Sequence, residues 1–181
     1  MKIKVFYLAL LLLVCLLPGC SKKNAPNHTG ESVFSSFTAA DIHGNPVDQR
    51  VFADAKLTMV NIWATFCSPC ISEMSDLAAL STAFGEDFQV VGIVIDAADR
   101  NGNIYSDKME LALSIIEDTG ANYLHLLPSP SLHSAYLKDV QAIPVTIFVD
   151  ASGRQIGETY LGAKSHGQWE SIIKTLLKSI S

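Results

Sequence analysis

Two apolar, strand-forming runs constrain the fold of this chain more than any other feature. Residues 57–63 (LTMVNIW) and 88–95 (FQVVGIVI) are almost wholly apolar, as strands buried on both faces are. The stretch between them, 69–84, carries an apolar helical stripe at Ile71, Met74, Leu77, Ala78 and Phe84. A strand–helix–strand unit requires parallel strands with the helix packed across the sheet. The sequence therefore predicts an α/β fold.

The rest of the chain adds elements around this unit. Residues 33–38 and 46–51 flank a turn-rich segment at 41–45 and predict an N-terminal β-hairpin. The later elements are a helix at 105–118, a strand at 123–127, a short helix at 131–137, a hairpin of strands 145–149 and 155–160, and a helix over 169–180. From these elements we expect a mostly parallel sheet with helices on both faces, and an αβ insertion between residues 96 and 127.

The N-terminus has the pattern of an export signal. Lys2 and Lys4 precede an apolar run at 5–17 that is too short to span a bilayer comfortably. The run ends in Leu17-Pro18-Gly19-Cys20, which looks like the motif read by lipoprotein signal peptidase. In an ordinary secretory signal, Cys20 would be incidental. In both cases the mature protein works outside the cytoplasm.

The lipoprotein interpretation divides the chain into three parts. Residues 1–19 are the signal peptide, residues 20–31 a polar tether anchored through lipid on Cys20, and residues 32–181 the folded domain. The protein would then sit on the periplasmic side or the cell surface of a bacterial membrane.

Charge excludes a nucleic-acid partner. The chain has 13 basic and 18 acidic residues, and loss of Lys2 and Lys4 with the signal leaves a net charge of about −7. A polyanion is repelled by such a protein.

Only two cysteines remain for chemistry in the mature chain. Cys15 leaves with the signal and Cys20 carries lipid, so Cys67 and Cys70 are left. Two cysteines make neither a disulfide-stapled scaffold nor a four-cysteine zinc site. His125 and His133 lack ligand spacing, and we expect no metal and no cofactor.

The motif Cys67-Ser68-Pro69-Cys70 lies where a buried strand gives way to a helix. The helix N-terminus stabilises a thiolate at the first cysteine, and Pro69 fits the first turn. Cys67 is then the nucleophile that attacks a disulfide, and Cys70 resolves the mixed disulfide. A structural disulfide and a metal site are the alternative interpretations of the bare spacing.

Two segments resemble a known family. Residues 60–70 (VNIWATFCSPC) look like the active-site signature of thioredoxin-fold proteins of the TlpA/ResA-like branch. Residues 142–150 (AIPVTIFVD), followed by Gly153, resemble the second signature of that family. The resemblance implies a thioredoxin fold, with a central mixed sheet and helices on both faces, over essentially the whole mature domain.

The resemblance also implies roles for individual residues. Pro144 matches the cis-proline of that family, which packs against the cysteines and presents the backbone of Ile143 to the substrate. Without the resemblance, Pro144 would be interpreted as the start of an edge strand. Trp63 and Phe66 match aromatic residues beside the site, which we expect to contact the substrate. Without the resemblance, Trp63 could equally be a core tryptophan.

Two further positions bear on proton transfer. Asn61 stands where cytoplasmic thioredoxins carry a buried aspartate, and asparagine cannot take a proton. Glu73 matches an acidic residue of ResA-like proteins. Its carboxylate is a candidate proton acceptor for Cys70, or a charge that raises the pKa values of the thiols by repulsion. Its alternative role is to favour the first turn of the helix.

These observations predict an extracytoplasmic thiol–disulfide oxidoreductase that reduces exported proteins. The resemblance implies apocytochrome c or copper-site proteins as substrates and a membrane electron donor of the DsbD/CcdA type; we expect a monomer. The alternatives are a disulfide-donating oxidant, a thiol peroxidase, and a copper-binding module using Cys67, Cys70 and His133. The peroxidase is disfavoured because Thr65 is the only nearby match to such a site and no arginine lies close in sequence.

Overall fold

The computed structural model describes residues 32–34 and 36–180. The predicted signal peptide, Cys20 and the tether up to residue 31 lie outside them. Within the described residues, no helix is both long enough and apolar enough to span a membrane.

The N-terminal hairpin is present, but its first strand lies later than predicted. Strands β1 (Thr38–Ala40) and β2 (Pro46–Asp48) pair antiparallel as a separate two-stranded sheet. Of the predicted strand over 33–38, only Thr38 lies in β1. Phe34 and Phe37 precede β1 and are buried in the core, and the backbone N–H of Phe34 donates to the carbonyl oxygen of Gly153 rather than to the hairpin.

A five-stranded mixed sheet forms the centre of the molecule. Its strands lie in the order β5-β4-β3-β6-β7. They are β3 (Leu57–Trp63), β4 (Phe88–Val94), β5 (Leu124–Leu126), β6 (Val145–Asp150) and β7 (Gln155–Leu161). β3, β4 and β5 run parallel, whereas β6 and β7 add antiparallel partners. The predicted mixed sheet is thus confirmed.

Helices cover both faces of this sheet. They are α1 (Ser68–Phe84), α2 (Ser106–Thr119), α3 (Pro130–Ala135) and α4 (His166–Ser179). Short 3-10 turns lie at Gln49–Asp54, Gly85–Asp87 and Leu137–Asp139. One face packs against α1, α2 and α4, and the other against α3 and the hairpin region. The predicted αβ unit supplies α2 and the edge strand β5.

The alternation of β3 directs its residues to two different layers. Val60 and Ile62 contribute to the core on the α3 side, whereas Met59 and Trp63 contribute to the core under α1 and α4. β3 and β4 end at the same edge of the sheet because they are parallel. β6 begins at that edge, where Val145 pairs with Ile62.

Candidate active site

Cys67 and Cys70 form a disulfide at the start of α1. Their sulfur atoms are bonded, and their Cα atoms are 5.3 Å apart. Cys67 is the N-cap residue, and its Sγ accepts a hydrogen bond from the backbone N–H of Cys70 at 3.3 Å. The unpaired amides and positive end of the helix dipole therefore favour negative charge on Cys67 Sγ after reduction.

The two sulfurs differ in access. Cys67 keeps 6% of its surface exposed, and Cys70 has none. Both belong to an apolar cluster with Trp63, Met74 and Val94, which we call the disulfide cluster. A large substrate can thus approach Cys67 alone.

Asp96 holds the loop that leads into the motif. The carboxylate accepts the backbone N–H of Thr65 at 3.0 Å and also the hydroxyl of Thr65. Asp96 follows β4, whose end lies beside the end of β3. Asp96 was not among the predicted site residues, although a carboxylate just after a buried parallel strand is a recognisable signal.

The Ile143–Pro144 peptide bond is cis. Pro144 directly precedes β6 and is buried, while Ile143 is half-buried and packs against the disulfide cluster. The carbonyl oxygen of Pro144 accepts the N–H of Gly162 at 2.9 Å. The fold thus brings the second predicted signature to the edge of the sheet where the cysteines lie.

The two aromatic residues predicted to contact the substrate lie in different places. Phe66 is 71% exposed next to Cys67, which leaves its ring free to meet another molecule. Trp63 is fully buried in the disulfide cluster. Its side chain supports the cysteines from behind, because β3 directs it beneath α1 and away from the surface.

Glu73 lies on α1, one turn after Cys70, and is buried against β3 and α4. Its Oε1 accepts a hydrogen bond from the Asn61 amide at 3.1 Å. Its Oε2 accepts the backbone N–H of Lys164 and the indole N–H of Trp169, both at 3.0 Å. The carboxylate therefore joins β3, α1 and the start of α4 behind the disulfide.

Burial raises the pKa of Glu73 above its ordinary value, and the hydrogen bonds from Trp169, Lys164 and Asn61 limit the rise. Desolvation disfavours the carboxylate, whereas donors aimed at it favour the charge. These opposing effects leave a buried carboxyl group, one helical turn after Cys70 along α1, with a pKa above its ordinary value.

Two alternative chemistries find no support in the geometry. The hydroxyl of Thr65 is bonded to Asp96 rather than free for a peroxide. His133 lies on α3, which packs through Leu132 on the face of the sheet opposite the disulfide cluster. The postulated copper site of Cys67, Cys70 and His133 therefore does not form in this structure.

The sheet order, the cis-proline and the cysteine pair at the start of α1 define a protein of the thioredoxin fold. The chain belongs to the AhpC/TSA family, whose sequence model matches residues 31–160.

The chain is similar in sequence to proteins named as thiol–disulfide oxidoreductases, as expected from its resemblance to the TlpA/ResA-like branch. The chain is 27% identical over 109 residues to the thiol:disulfide interchange protein HelX of Rhodobacter capsulatus, covering 60% of this chain and 54% of HelX. It is 22% identical over 146 residues to the thiol-disulfide oxidoreductase ResA of Halalkalibacterium halodurans, covering 80% of this chain and 73% of ResA. The chain thus spans about half the length of HelX.

Solved structures share the fold. A thiol:disulfide interchange protein of the thioredoxin family from Chlorobium tepidum superposes with a TM-score of 0.64 at 24% identity, covering 78% of this chain and 93% of that one. A thioredoxin domain of a thiol-disulfide oxidoreductase from Bacteroides vulgatus gives 0.62 at 22% identity, covering 82% and 97%.

Proposed function

We propose that this protein is an extracytoplasmic thiol–disulfide oxidoreductase that reduces disulfides in exported proteins. The observation that carries the proposal is the cysteine pair at the N-terminus of α1, in which Cys67 alone retains exposure. Similarity to proteins named as thiol–disulfide oxidoreductases supports it.

The reaction begins with the reduced pair. The Cys67 thiolate attacks one sulfur of a substrate disulfide, which forms a mixed disulfide and releases one substrate thiolate. The Cys70 thiol then loses its proton and attacks Cys67 Sγ, which releases the second substrate thiolate. Two electrons pass to the substrate, and the Cys67–Cys70 disulfide is restored.

Glu73 is the proposed acceptor of the proton that Cys70 loses. It follows Cys70 by one helical turn. Its raised pKa lies closer to the pKa of a thiol than the pKa of an exposed carboxyl group does, which favours proton transfer from Cys70. Its hydrogen bonds to Asn61, Lys164 and Trp169 hold it in place without using the cysteines as donors.

The substrate would bind across Phe66, Ile143 and Pro144. Phe66 offers an exposed apolar ring on one side of Cys67, and Ile143 lies half-buried against the disulfide cluster. The backbone beside a cis-proline is suited to pair with an extended substrate segment. An apolar surface of this kind fits unfolded or partly folded proteins such as apocytochrome c or apo copper-site proteins.

The proposal includes a location outside the cytoplasm, on a lipid anchor. The lipobox-like sequence supports cleavage after Gly19, lipid on Cys20 and attachment to a bacterial membrane. The anchored protein is proposed to act as a monomer. A membrane donor of the DsbD/CcdA type would then return two electrons to the disulfide. Metabolic labelling with a radioactive fatty acid should mark the full-length chain and fail to mark a Cys20→Ser variant.

Turnover with a protein disulfide tests the activity itself. Purified protein with dithiothreitol as electron source should accelerate the reduction of insulin, and neither Cys67→Ser nor Cys70→Ser should do so. Equal acceleration by Cys67→Ser would overturn the proposal. Consumption of hydrogen peroxide by Cys70→Ser would favour the peroxidase alternative.

A further inference from the structure

His125 and Trp63 form a hydrogen-bonded pair behind the disulfide. The indole N–H of Trp63 donates to Nδ1 of His125 at 3.2 Å, and the two rings meet edge to face with their centroids 5.6 Å apart. Trp63 is fully buried and His125 is 1% exposed. The catalytic cycle above does not use His125, so its placement requires another explanation.

The imidazole is held by contacts on its other side. Nε2 of His125 bonds to the carbonyl oxygen of Ala121 at 2.9 Å, and the ring of Tyr123 lies 4.5 Å away. A neutral imidazole that donates through Nε2 presents Nδ1 as an acceptor. Burial lowers the pKa of His125 to about 4, which keeps the ring neutral around pH 7. The two hydrogen bonds thus fix both the tautomer and the orientation.

The intervening strand leaves room for this pair. Gly92 of β4 lies next to Asn61 of β3 and His125 of β5 in the sheet register. A Cβ atom on Gly92 would stand 2.3 Å from Nδ1 of His125 and 3.2 Å from Nε1 of Trp63. Glycine inside a strand often marks such a close approach. The contact between Trp63 of β3 and His125 of β5 therefore depends on the missing side chain of Gly92 on β4, the strand between them.

We propose that His125 is a positioning residue, which holds Trp63 against Cys67 and Cys70 and thereby sets the equilibrium between the disulfide and the dithiol. This inference rests on the proposed function, because it assigns a task to the same cysteine pair. The link is the disulfide cluster, to which Trp63 and both cysteines belong. His125 acts only through Trp63 and is not a catalytic residue.

The direction of the effect follows from packing. Reduction replaces a covalent bond between two sulfurs by van der Waals contact, so the reduced cluster needs more room in a closely packed interior. A Trp63 ring fixed by His125 resists that expansion, whereas a released ring can move aside. Loss of the hydrogen bond should therefore favour the dithiol.

The test is the equilibrium of the purified full-length chain with glutathione, read by alkylation of Cys67 and Cys70. His125→Leu should shift the equilibrium constant toward the dithiol by more than twofold and by up to about tenfold, the limit reached if the hydrogen bond stabilises the disulfide form alone. Trp63→Phe removes the same bond from the donor side and should shift the constant in the same direction. His125→Gln, whose amide can accept from Trp63 and donate to Ala121, should stay within about twofold of the wild type.

A double variant separates positioning from general loosening of the fold. If His125 acts through Trp63, adding His125→Leu to Trp63→Phe should change the constant no further. His133→Leu, on the opposite face of the sheet, is the matched histidine control and should leave the constant unchanged. If His125→Leu does not fold, Trp63→Phe and His125→Gln decide the question.

Unchanged constants in His125→Leu and Trp63→Phe, an additive effect in the double variant, or no rescue by His125→Gln would each overturn the inference. The measurement concerns the protein's own cysteines. If the wild type equilibrates with glutathione but does not reduce insulin, the proposed function is refuted, whereas the inference about His125 still stands.

Discussion

Asn61 donates a hydrogen bond to Glu73 across the interface of β3 and α1, with Nδ2 3.1 Å from Oε1. The same Nδ2 donates to Oγ1 of Thr146 at 3.0 Å, while the buried Oδ1 of Asn61 has no partner among the described residues. This amide orientation suits an ionised Glu73. Rotation of the amide would instead offer Oδ1 to a protonated Glu73, so Asn61 can serve both protonation states.

Two substitutions of Glu73 should separate its structural task from its proton transfer. Glu73→Ala leaves the buried N–H groups of Trp169 and Lys164 without their acceptor and should lower the free energy of unfolding by about 3 kcal/mol. In Glu73→Gln, the single side-chain oxygen can accept from these donors, while the amide nitrogen donates to Oδ1 of a rotated Asn61. This variant should therefore fold nearly normally. Its resolving step should nevertheless be slower, because it cannot accept a proton. Urea denaturation and single-turnover kinetics measure the two effects, and a Glu73→Gln variant with wild-type kinetics would remove Glu73 from the mechanism.

Stability should depend on pH through the same residue. The pKa of Glu73 is higher in the folded protein than its ordinary value of 4.5, so the folded state binds its proton more tightly than the unfolded chain does. This contribution is complete below pH 4.5 and is lost as pH rises through the higher folded pKa. The free energy of unfolding of the wild type, minus that of Glu73→Gln, should therefore fall with rising pH. A difference that grows with pH would mean that the folded pKa of Glu73 is lowered.

Gly92 and Gly167 form a matched pair for testing the packing behind the disulfide. Gly92→Ala would force its Cβ against Nδ1 of His125, 2.3 Å away, and should destabilise the protein by about 1–3 kcal/mol. Gly167 lies near the start of α4 with open space around its Cβ position, so Gly167→Ala should be neutral or gain about 0.5–1 kcal/mol. Thermal melts compare them, and equal effects would show that the space at Gly92 is not restricted.

Asp96 should control the loop that precedes Cys67. Asp96→Ala leaves the N–H and hydroxyl of Thr65 without their acceptor and should cost about 1–3 kcal/mol of stability. Asp96→Asn keeps an oxygen for the N–H, and the Thr65 hydroxyl can rotate to accept from the new amide. It should therefore retain most of the stability and the rate of insulin reduction. Equal rates in the wild type and Asp96→Ala would show that the loop needs no such support.

The sequence predicts the buried elements well because their own residues determine them. The limits of β3 match the apolar run at 57–63, and β4 ends one residue before its predicted end. α4 begins at His166 rather than at Trp169, because Ser165 and Gln168 form a capping box whose sequence signal was overlooked. The side chain of Ser129 caps α3 by accepting the backbone N–H of Leu132, so that helix begins one residue before its predicted start.

The contacts behind the disulfide could not be predicted in this way. Asn61 and Glu73 were both singled out from the sequence, but their pairing depends on how α1 lies across β3. The role of His125 depends on the register of β5 beside Gly92, which no local pattern in a three-residue strand specifies. The resemblance assigned Trp63 to substrate contact, with a core position as the alternative, and the alternation of β3 places its side chain in the core.

The direction of electron flow can be measured by equilibration with glutathione. A reductant should have a potential near that of thioredoxin, about −270 mV, and an oxidant one near that of DsbA, about −120 mV. The proposed function predicts the first value. A reduction potential close to the second value would mean that the protein donates its disulfide to other proteins. The roles assigned to Cys67 and Cys70 would stay the same.

Trapping of the mixed disulfide tests the central claim most directly. Reduced Cys70→Ser, mixed with a disulfide-containing substrate such as insulin, should accumulate a covalent adduct on Cys67 that intact-mass spectrometry detects and a reductant removes. Cys67→Ser, whose remaining thiol at Cys70 is fully buried, should form none. Adducts on Cys67→Ser and none on Cys70→Ser would contradict the assignment of Cys67 as the nucleophile.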